Sequence, residues 1–537
     1  MTQTNVDLND EALEALVARV TDAQEHGLAL SQADTQLLID ALITLAALQE
    51  RLSDKDVTLH KLRKLLGLVT SSEKLSALVT QDQDADAGKP SDSPKKPRKK
   101  KPASKPDPIT VEHHTLEGLS KGDDCPQCPK GRLAKYQPAR LLRVTGSTPY
   151  TPVQHLSQRL RCNACQAYFT ADLPKHVKDD GDSDQMYGFS ARSLMAINKF
   201  NGGSPYYRQE SLQSQLGMAI TASTIYDQCE YLANDVNPIV KAIEKLAGDA
   251  IDYQIDDTGN RIVDQKPVKK KRRNSHKEQL RTGVYTSGMI ARLQSGHAAI
   301  LYETSIGHAG EFLDSVLRMR SATLPPPLVM SDALSSNHVT DITFIKSLCN
   351  AHARRQFVDV ITPFPQEVAW VLEQYKLIWV HDAQAKEKGM THRERLVHHH
   401  QHSLPVMASI RSWGLKKLED GSVEENSGVG KAIRYFDKHY EGLTRFCARE
   451  GAKIDNNDME QKIKLAVLNR KNAGFFKSAV GANVGDVLTS IMATAAAAGV
   501  NIFDYLNALQ RNRARVKLNP EQWLPWCYEA SLAQMAG

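Results

Sequence analysis

Cysteine is scarce in this chain: eight residues in 537, too few for the disulfide framework of a secreted scaffold. Four of the eight fall in two close pairs, which in a reducing setting points to metal rather than to disulfides. No run of roughly 18 consecutive apolar residues occurs, so no transmembrane helix and no membrane partner are expected. Residues 1–12 are polar and acidic, unlike a secretory signal. Charge of one sign is not in large excess: the net charge of +6 does not by itself announce nucleic-acid binding. The hydrophobic share of 41% and charged share of 24% are those of ordinary globular protein, and the length allows several domains with separate cores.

What is present is unevenly placed. Leu38, Leu45, Leu52, Leu59 and Leu66 recur every seven residues, with Ala41, Leu48 and Leu62 on a second seam that Lys55 interrupts. This predicts a coiled coil of about four heptads that Gly67 ends, suited to dimerisation. Residues 81–112 read as a linker, acidic first and then basic in KKPRKKKPASK (95–105). Such a run either drapes along DNA phosphates or is a solvated tether. A second basic run, KKKRR, occupies 269–273. Cys125 and Cys128 are separated by 33 residues from Cys162 and Cys165. Two Cys-x-x-Cys knuckles predict a tetrahedral structural Zn²⁺ with no open position for catalysis.

Residues 189–240 carry helical patterns over 190–200, from 205 to 216, and from the N-cap residues Thr221 or Ser223 onward. The spacing suits a helix-turn-helix, and equally a structural bundle. From residue 249 the pattern turns to strands: DAIDYQID, 282–291 and 297–304, then a helix over 309–320, then a strand ending at Asp332. That order predicts an RNase H-like α/β core, followed by an all-helical insertion over 350–452. The whole is read as multidomain α+β.

Two of the expected strands end in acids, Asp256 and Asp332, and a later helix carries Glu460. Two Asp at strand ends and a Glu on a helix can hold a pair of divalent metals that cleaves phosphodiesters. Asp257 and Asp458 are rival ligands, although strand alternation lets only one of Asp256 and Asp257 face the site. His352, Arg354 and Arg355 bunch near a strand-to-helix junction, where they either bind phosphate or form a basic surface. His398, His399, His400 and His402 form a tract that is either metal-binding or a polar helix face.

These residues resemble, over nearly the whole chain, the transposases of the insertion sequence 66 family. Leu65-Leu66-Gly67 with Ser71-Ser72-Glu73-Lys74-Leu75 is similar to that family's N-terminal signature. Pro205-Tyr206-Tyr207-Arg208-Gln209-Glu210, Asp256-Asp257-Thr258, His308-Ala309-Gly310-Glu311 and Ser331-Asp332-Ala333-Leu334 follow in family order. So do Cys349-Asn350-Ala351-His352-Ala353-Arg354-Arg355-Gln356-Phe357, Asp455-Asn456-Asn457-Asp458-Met459-Glu460 and Asn469-Arg470-Lys471-Asn472. Gln461, Lys464, Asn260 and Ala473-Gly474 depart from the usual pattern.

The resemblance implies a DNA transposase with Asp256, Asp332 and Glu460 as its DDE triad, binding two Mg²⁺ or Mn²⁺ ions. Arg354, Arg355, Arg470 and Lys471 become candidates for holding DNA. It implies a bacterial, cytoplasmic, nucleoid-associated protein whose partners are terminal inverted repeats, target DNA, a second copy or higher oligomer, and element-encoded accessory proteins. The expected divisions are a coiled-coil region (1–80), the linker (81–112), a zinc-binding domain (113–182), a helical DNA-binding domain (183–247), the first part of the catalytic core (248–349), the insertion (350–452), the core's last part (453–510) and a tail (511–537). A domesticated DNA-binding regulator and a structure-specific nuclease are the alternatives.

Overall fold

A computed structural model describes residues 149–161, 168–182, 185–271, 278–337 and 342–536, with shorter pieces between 16 and 37 and at 122–123 and 132. The leucine repeat beyond residue 37, the linker and all four paired cysteines lie outside the described residues. The chain divides into two compact units, residues 1–88 with 355–373, and residues 89–354 with 374–537. In the first, Ser31 accepts the amide of Asp34 at 3.1 Å, and Arg19 pairs with Asp34 at 2.9 Å.

The second unit is a mixed α and β structure around a five-stranded sheet. Its strands are β1 (Asp252–Asn260), β2 (Val284–Arg292), β3 (Ala298–Ser305), β4 (Leu328–Ser331) and β5 (Ile345–Leu348). The spatial order is β3-β2-β1-β4-β5. The first three strands form an antiparallel meander, and β4 and β5 run parallel to β1. Helices α1 (Phe189–Ala196), α2 (Tyr206–Gln215) and α3 (Ala222–Gly248) precede the sheet. Helix α4 (Ala309–Leu317) makes the crossover from β3 to β4. After β5 come α5 (Asn350–Val358) and α6 (Pro365–Glu387), whose residues within 355–373 count with the first unit, then α7 (His392–Glu419), α8 (Gly428–Leu443), α9 (Asn457–Ala473), α10 (Ala479–Ala497) and α11 (Ile502–Arg511). The basic run at 269 enters a ribbon, Val268–Lys271 antiparallel to Glu278–Arg281, that the sequence pattern had not suggested.

Strand alternation sorts the sheet's two faces. Tyr253, Ile255, Met289, Ala291, Ala299, Leu301 and Val329 enter one large core shared with α3, α4, α10 and α11. Ile225, Cys229, Leu232, Val236, Ile239 and Ile243, three or four apart along α3, supply that core's helical side. Thr221 caps α3 by accepting the amide of Thr224. The helix runs on as far as Gly248 with Pro238 inside it, so residues 189–248 and the sheet share one core. Trp523, Leu524 and Tyr528, near the C-terminus, belong to it too. The opposite sheet face packs Ile300 and Tyr302 against Met459, Ile463 and Ala466 of α9.

Helix α10 is apolar and long enough to cross a bilayer, yet it is a core helix laid along the free edge of β3. Thr494, Ser490 and Asp486 accept the amides of Ile300, Tyr302 and Thr304 at 3.0, 2.9 and 2.6 Å. Four helical residues advance about 6.0 Å and two strand residues about 6.7 Å, so the two repeats stay in step over three contacts. The edge strand's outward donors are thereby satisfied without another strand.

Burial pushes the Asp486 carboxyl up to about 7, against the lowering effect of the Thr304 hydroxyl and amide. A folded-state value above the unfolded one means that the native state holds a proton the unfolded chain has released. Stability from this group is therefore full below about pH 4 and lost as pH rises through 7, a loss of up to ~4 kcal/mol. Asp486→Asn should abolish that part of the slope, so urea unfolding at pH 5.5 and 8 should differ less in the variant than in the wild type. Equal slopes would mean that Asp486 is ionised in the fold.

Candidate active site

Three acidic side chains lie around the middle of β1, near enough for the charges of Asp332 and Glu460 to act on Asp256. Asp256 is the fifth residue of β1, on the face turned toward α9. The parallel register pairs Gln254 with Met330. Carried on by two residues, it places Asp332 level with Asp256 and on the same face. Glu460 lies in the first turn of α9. Burial raises the Asp256 carboxyl to about 7, and the charges of Asp332, Glu460 and Asp257 add to the rise. Asp332 is raised as well, again mainly by burial. Among the described residues, neither Asp256 nor Asp332 has a Lys or Arg ion pair to offset this repulsion. Hard oxygen donors gathered at such cost fit a divalent cation, which would supply the missing positive charge.

Each acid is held by its surroundings. Asp332 accepts the Leu334 amide at 3.1 Å and the side-chain amide of Asn337. Gly310 of α4 lies against this loop so closely that an added Cβ would come within 2.3 Å of the Ser336 carbonyl. Glycine in the His308-Ala309-Gly310-Glu311 motif is thus what lets the loop carrying Asp332 close on α4.

For Glu460 the anchor is Asn456, buried just before α9. Its side chain donates to the Ile255 carbonyl at 2.9 Å, and its backbone amide donates to Cys349 Sγ at 3.2 Å. Across β2, Gly288 stands opposite Asp256 in register. An added Cβ there would meet Met459 Cε at 2.4 Å and Ile463 Cδ1 at 3.0 Å. A bare backbone at Gly288 lets α9 lie directly on the sheet. At the far end of α9, Arg470 donates to Thr258 Oγ1 at 3.0 Å and to the Gly259 carbonyl. Asn472 donates to the Gly203 carbonyl at 2.8 Å, and buried Lys199 donates to Asn469. Burial holds the Lys199 amine down, to about 8. These contacts, with the apolar face of Met459, Ile463 and Ala466, orient the helix, while Gln461 points to solvent.

The rival acids are engaged elsewhere. Asp257 faces the other side of the strand, where its Oδ2 lies 2.9 Å from His308 Nδ1. Asp458 is paired with Lys453 at 2.7 Å. Of the basic candidates, Arg354 is half-buried, Lys471 is exposed, and Arg470 is tied to β1. Arg355, exposed on α5, falls in the other compact unit. His352, on α5, lies 3.5 Å from Glu460, and Cys349, His352 and Glu460 are near enough to one another to hold a metal. We read that trio differently. Burial pushes the Cys349 thiol up to about 12, so its sulfur is protonated at neutral pH and serves as an acceptor for amides. Glu460 is also near enough to Asp256 for its charge to raise that carboxyl. The roles of Asn456 and Gly288 were not read from sequence; only the Asn-Asn before the acidic helix hinted at the first.

Comparison with known proteins gives the family. The Transposase IS66 family matches residues 184–484, more than half of the chain and a span that contains all three acids. The uncharacterized protein y4hP of Sinorhizobium fredii is 24% identical over 451 residues, covering 79% of this chain and 76% of that protein. From the same organism, y4jD is 29% identical over 34% of this chain and 36% of its own length. A third, y4qI, is 24% identical over 59% of this chain and 57% of its own length.

Proposed function

We propose, on the premise that this chain belongs to the IS66 family of transposases, that it binds insertion-element ends, nicks them and joins the freed 3′-OH to target DNA through Asp256, Asp332 and Glu460. The observation that supports this reading is that Asp256 and Asp332 share one sheet face with the helix of Glu460 above it, and that the charges of Asp332 and Glu460 raise Asp256 beyond the effect of burial. The strand order β3-β2-β1-β4-β5, with the first three antiparallel, supports an RNase H-like core. Two Mg²⁺ or Mn²⁺ ions, held by these carboxylates, would supply Lewis-acid polarisation of the phosphate and of a water at neutral pH.

The chain's own residues do the rest. Asp256 lies within β1 and Asp332 directly follows the parallel strand β4, so sheet register sets their approach, and the loop closed on Gly310 of α4 holds Asp332. Glu460 is brought to them by Asn456, and His352 sits against its carboxylate. Lys471 and Arg354 are the groups we assign to DNA phosphates. We further assign a structural Zn²⁺ to Cys125, Cys128, Cys162 and Cys165, self-association to the leucine repeat, and end-binding to residues 113–247.

The test is cleavage of end-labelled duplex carrying the DNA that flanks the element. Nicking that needs Mg²⁺ or Mn²⁺ and leaves a 3′-OH able to join a second duplex is the expected result. Tight binding without nicking under either metal would overturn the enzyme reading in favour of a DNA-binding regulator. Nicking without any joining would favour a structure-specific nuclease.

Arg470 separates two roles. As a tie between α9 and β1, Arg470→Ala should lower the cleavage rate about tenfold, in the range of outer-shell losses around metal sites. It should leave DNA affinity and its salt dependence as they were. A phosphate contact would behave oppositely, with weaker binding and a salt slope reduced by about one. Affinity measured across a salt series, beside single-turnover cleavage, distinguishes them.

A further inference from the structure

The helical insertion holds a cluster of imidazoles outside the site of the three acids. His398 and His402 are one turn apart on α7, and His381 faces them from α6. The two helices form an antiparallel hairpin through residues 388–391, and His381 and His398 stand at equal distances from that turn. The ring centroids are 4.7 Å apart for His398 and His402, 5.6 Å for His381 and His402, and 6.0 Å for His381 and His398. Three imidazoles bound to one tetrahedral Zn²⁺ through Zn–N bonds of about 2.0–2.1 Å have centroids roughly 5.2 Å apart. The observed spacing already brackets that value.

We propose that His381, His398 and His402 form a binding site for an imidazole-preferring transition-metal ion such as Zn²⁺, with water as the fourth ligand. The ligand nitrogens do not all lie within 4.8 Å of one another as the rings stand, so closing the site needs ring rotation about χ2, a soft torsion. His402 is exposed and the other two are half-buried, so the ion enters from solvent. The ring contacts behind the site are of the kind that orient metal-binding histidines. Ser403 Oγ lies 3.2 Å from His381 Nδ1 and 2.9 Å from His399 Nδ1, and His399 Nε2 lies 3.4 Å from Asp382. Asp382 is itself held by Arg395 and Lys386. His398 Nε2 lies 3.1 Å from the His381 carbonyl, which leaves its Nδ1 for the ion.

The site also has a mechanical connection. Trp379, two residues before His381, donates to Asp455 at 3.1 Å, and Arg395 donates to the Ala452 carbonyl at 3.2 Å. Residues 452–456 are the approach to the helix that carries Glu460. An ion bridging α6 and α7 braces the pair of helices that holds this approach.

The experiment compares the full chain with His398→Ala/His402→Ala, His402→Ala and, as control, His400→Ala, whose ring faces the Cys447 carbonyl instead. Each is equilibrated with micromolar Zn²⁺, freed of excess, and assayed for bound zinc and for Tm with and without EDTA. The double variant should carry one zinc per chain fewer than the wild type and lose the part of the Zn²⁺-dependent rise in Tm that His400→Ala retains. Exposed His402→Ala, the variant least able to disturb folding, should bind that zinc at least tenfold more weakly. Zinc content unchanged in the double variant, or lost equally in His400→Ala, would overturn the site. Neither readout depends on DNA cleavage, so the result stands apart from the transposase reading.

Discussion

Asp256→Asn, Asp332→Asn and Glu460→Gln should each lower metal-dependent strand cleavage by about a thousandfold or more. Losing a group one shell removed from a metal commonly costs ten- to a hundredfold, and a direct ligand costs more. Folding should survive. Asp256 is half-buried among like charges, and removing one charge relieves repulsion. Asn at 332 keeps an Oδ1 to accept the amides of Leu334 and Asn337. Glu460 is half-buried at the start of a helix whose orientation rests on Asn456 and Met459. Single-turnover cleavage, with DNA binding measured in parallel, checks all three. Cleavage within tenfold of wild type in any one variant removes that residue from the triad.

Gly288→Val should lower cleavage about a hundredfold without touching a carboxylate. Gly288 stands beside Asp256 across the β1–β2 pair, and the space above it is filled by Met459 and Ile463. Met459 Cε is the end of a flexible chain, so Gly288→Ala can be absorbed by a rotamer change. A valine carries two further methyl groups and must lift the first turn of α9. Displacement of about 1 Å costs on the order of a hundredfold in rate, and overpacking costs about 1–3 kcal/mol in stability. Adding Met459→Ala to Gly288→Val should return much of the rate by vacating the space. Wild-type cleavage by Gly288→Val alone would show that α9 does not need this close approach.

The parts of the fold carried by local pattern were legible in the sequence. Apolar runs before Asp256 and Asp332 marked β1 and β4, although β1 does not end at Asp256 but pairs with β2 as far as Asn260, and the turn between 291 and 297 separated β2 from β3. That only one of Asp256 and Asp257 can face the site followed from alternation, the choice of Asp256 came from the family resemblance, and the structure gives Asp257 a partner, His308, on the opposite face. Register was not legible. Nothing local says that Gly288 faces Asp256, or that Asn456 reaches the Ile255 carbonyl some two hundred residues earlier in the chain. Arg470 looked like a phosphate ligand because a basic side chain in isolation is only a charge. Its bond to Thr258 is a tertiary fact. The His398–His402 tract was visible, but its partner His381 appears only when two helices fold back on each other. The alanine-rich stretch of α10 announced a helix and hid the purpose of its Asp486, Ser490 and Thr494.

Those three side chains bear on what happens when synthesis stops early. At its other margin the sheet is covered too, since Arg445 donates to the Lys346 carbonyl of β5 at 3.0 Å and Gly442 of α8 lies against Leu348. A chain ending before Ala479 would keep every strand and the three acids, yet leave the amides of Ile300, Tyr302 and Thr304 facing water in a row. Such a fragment carries a ready template for pairing with its own kind. A mobile element interrupted at that point would leave behind a product that self-aggregates, and not a smaller working nuclease.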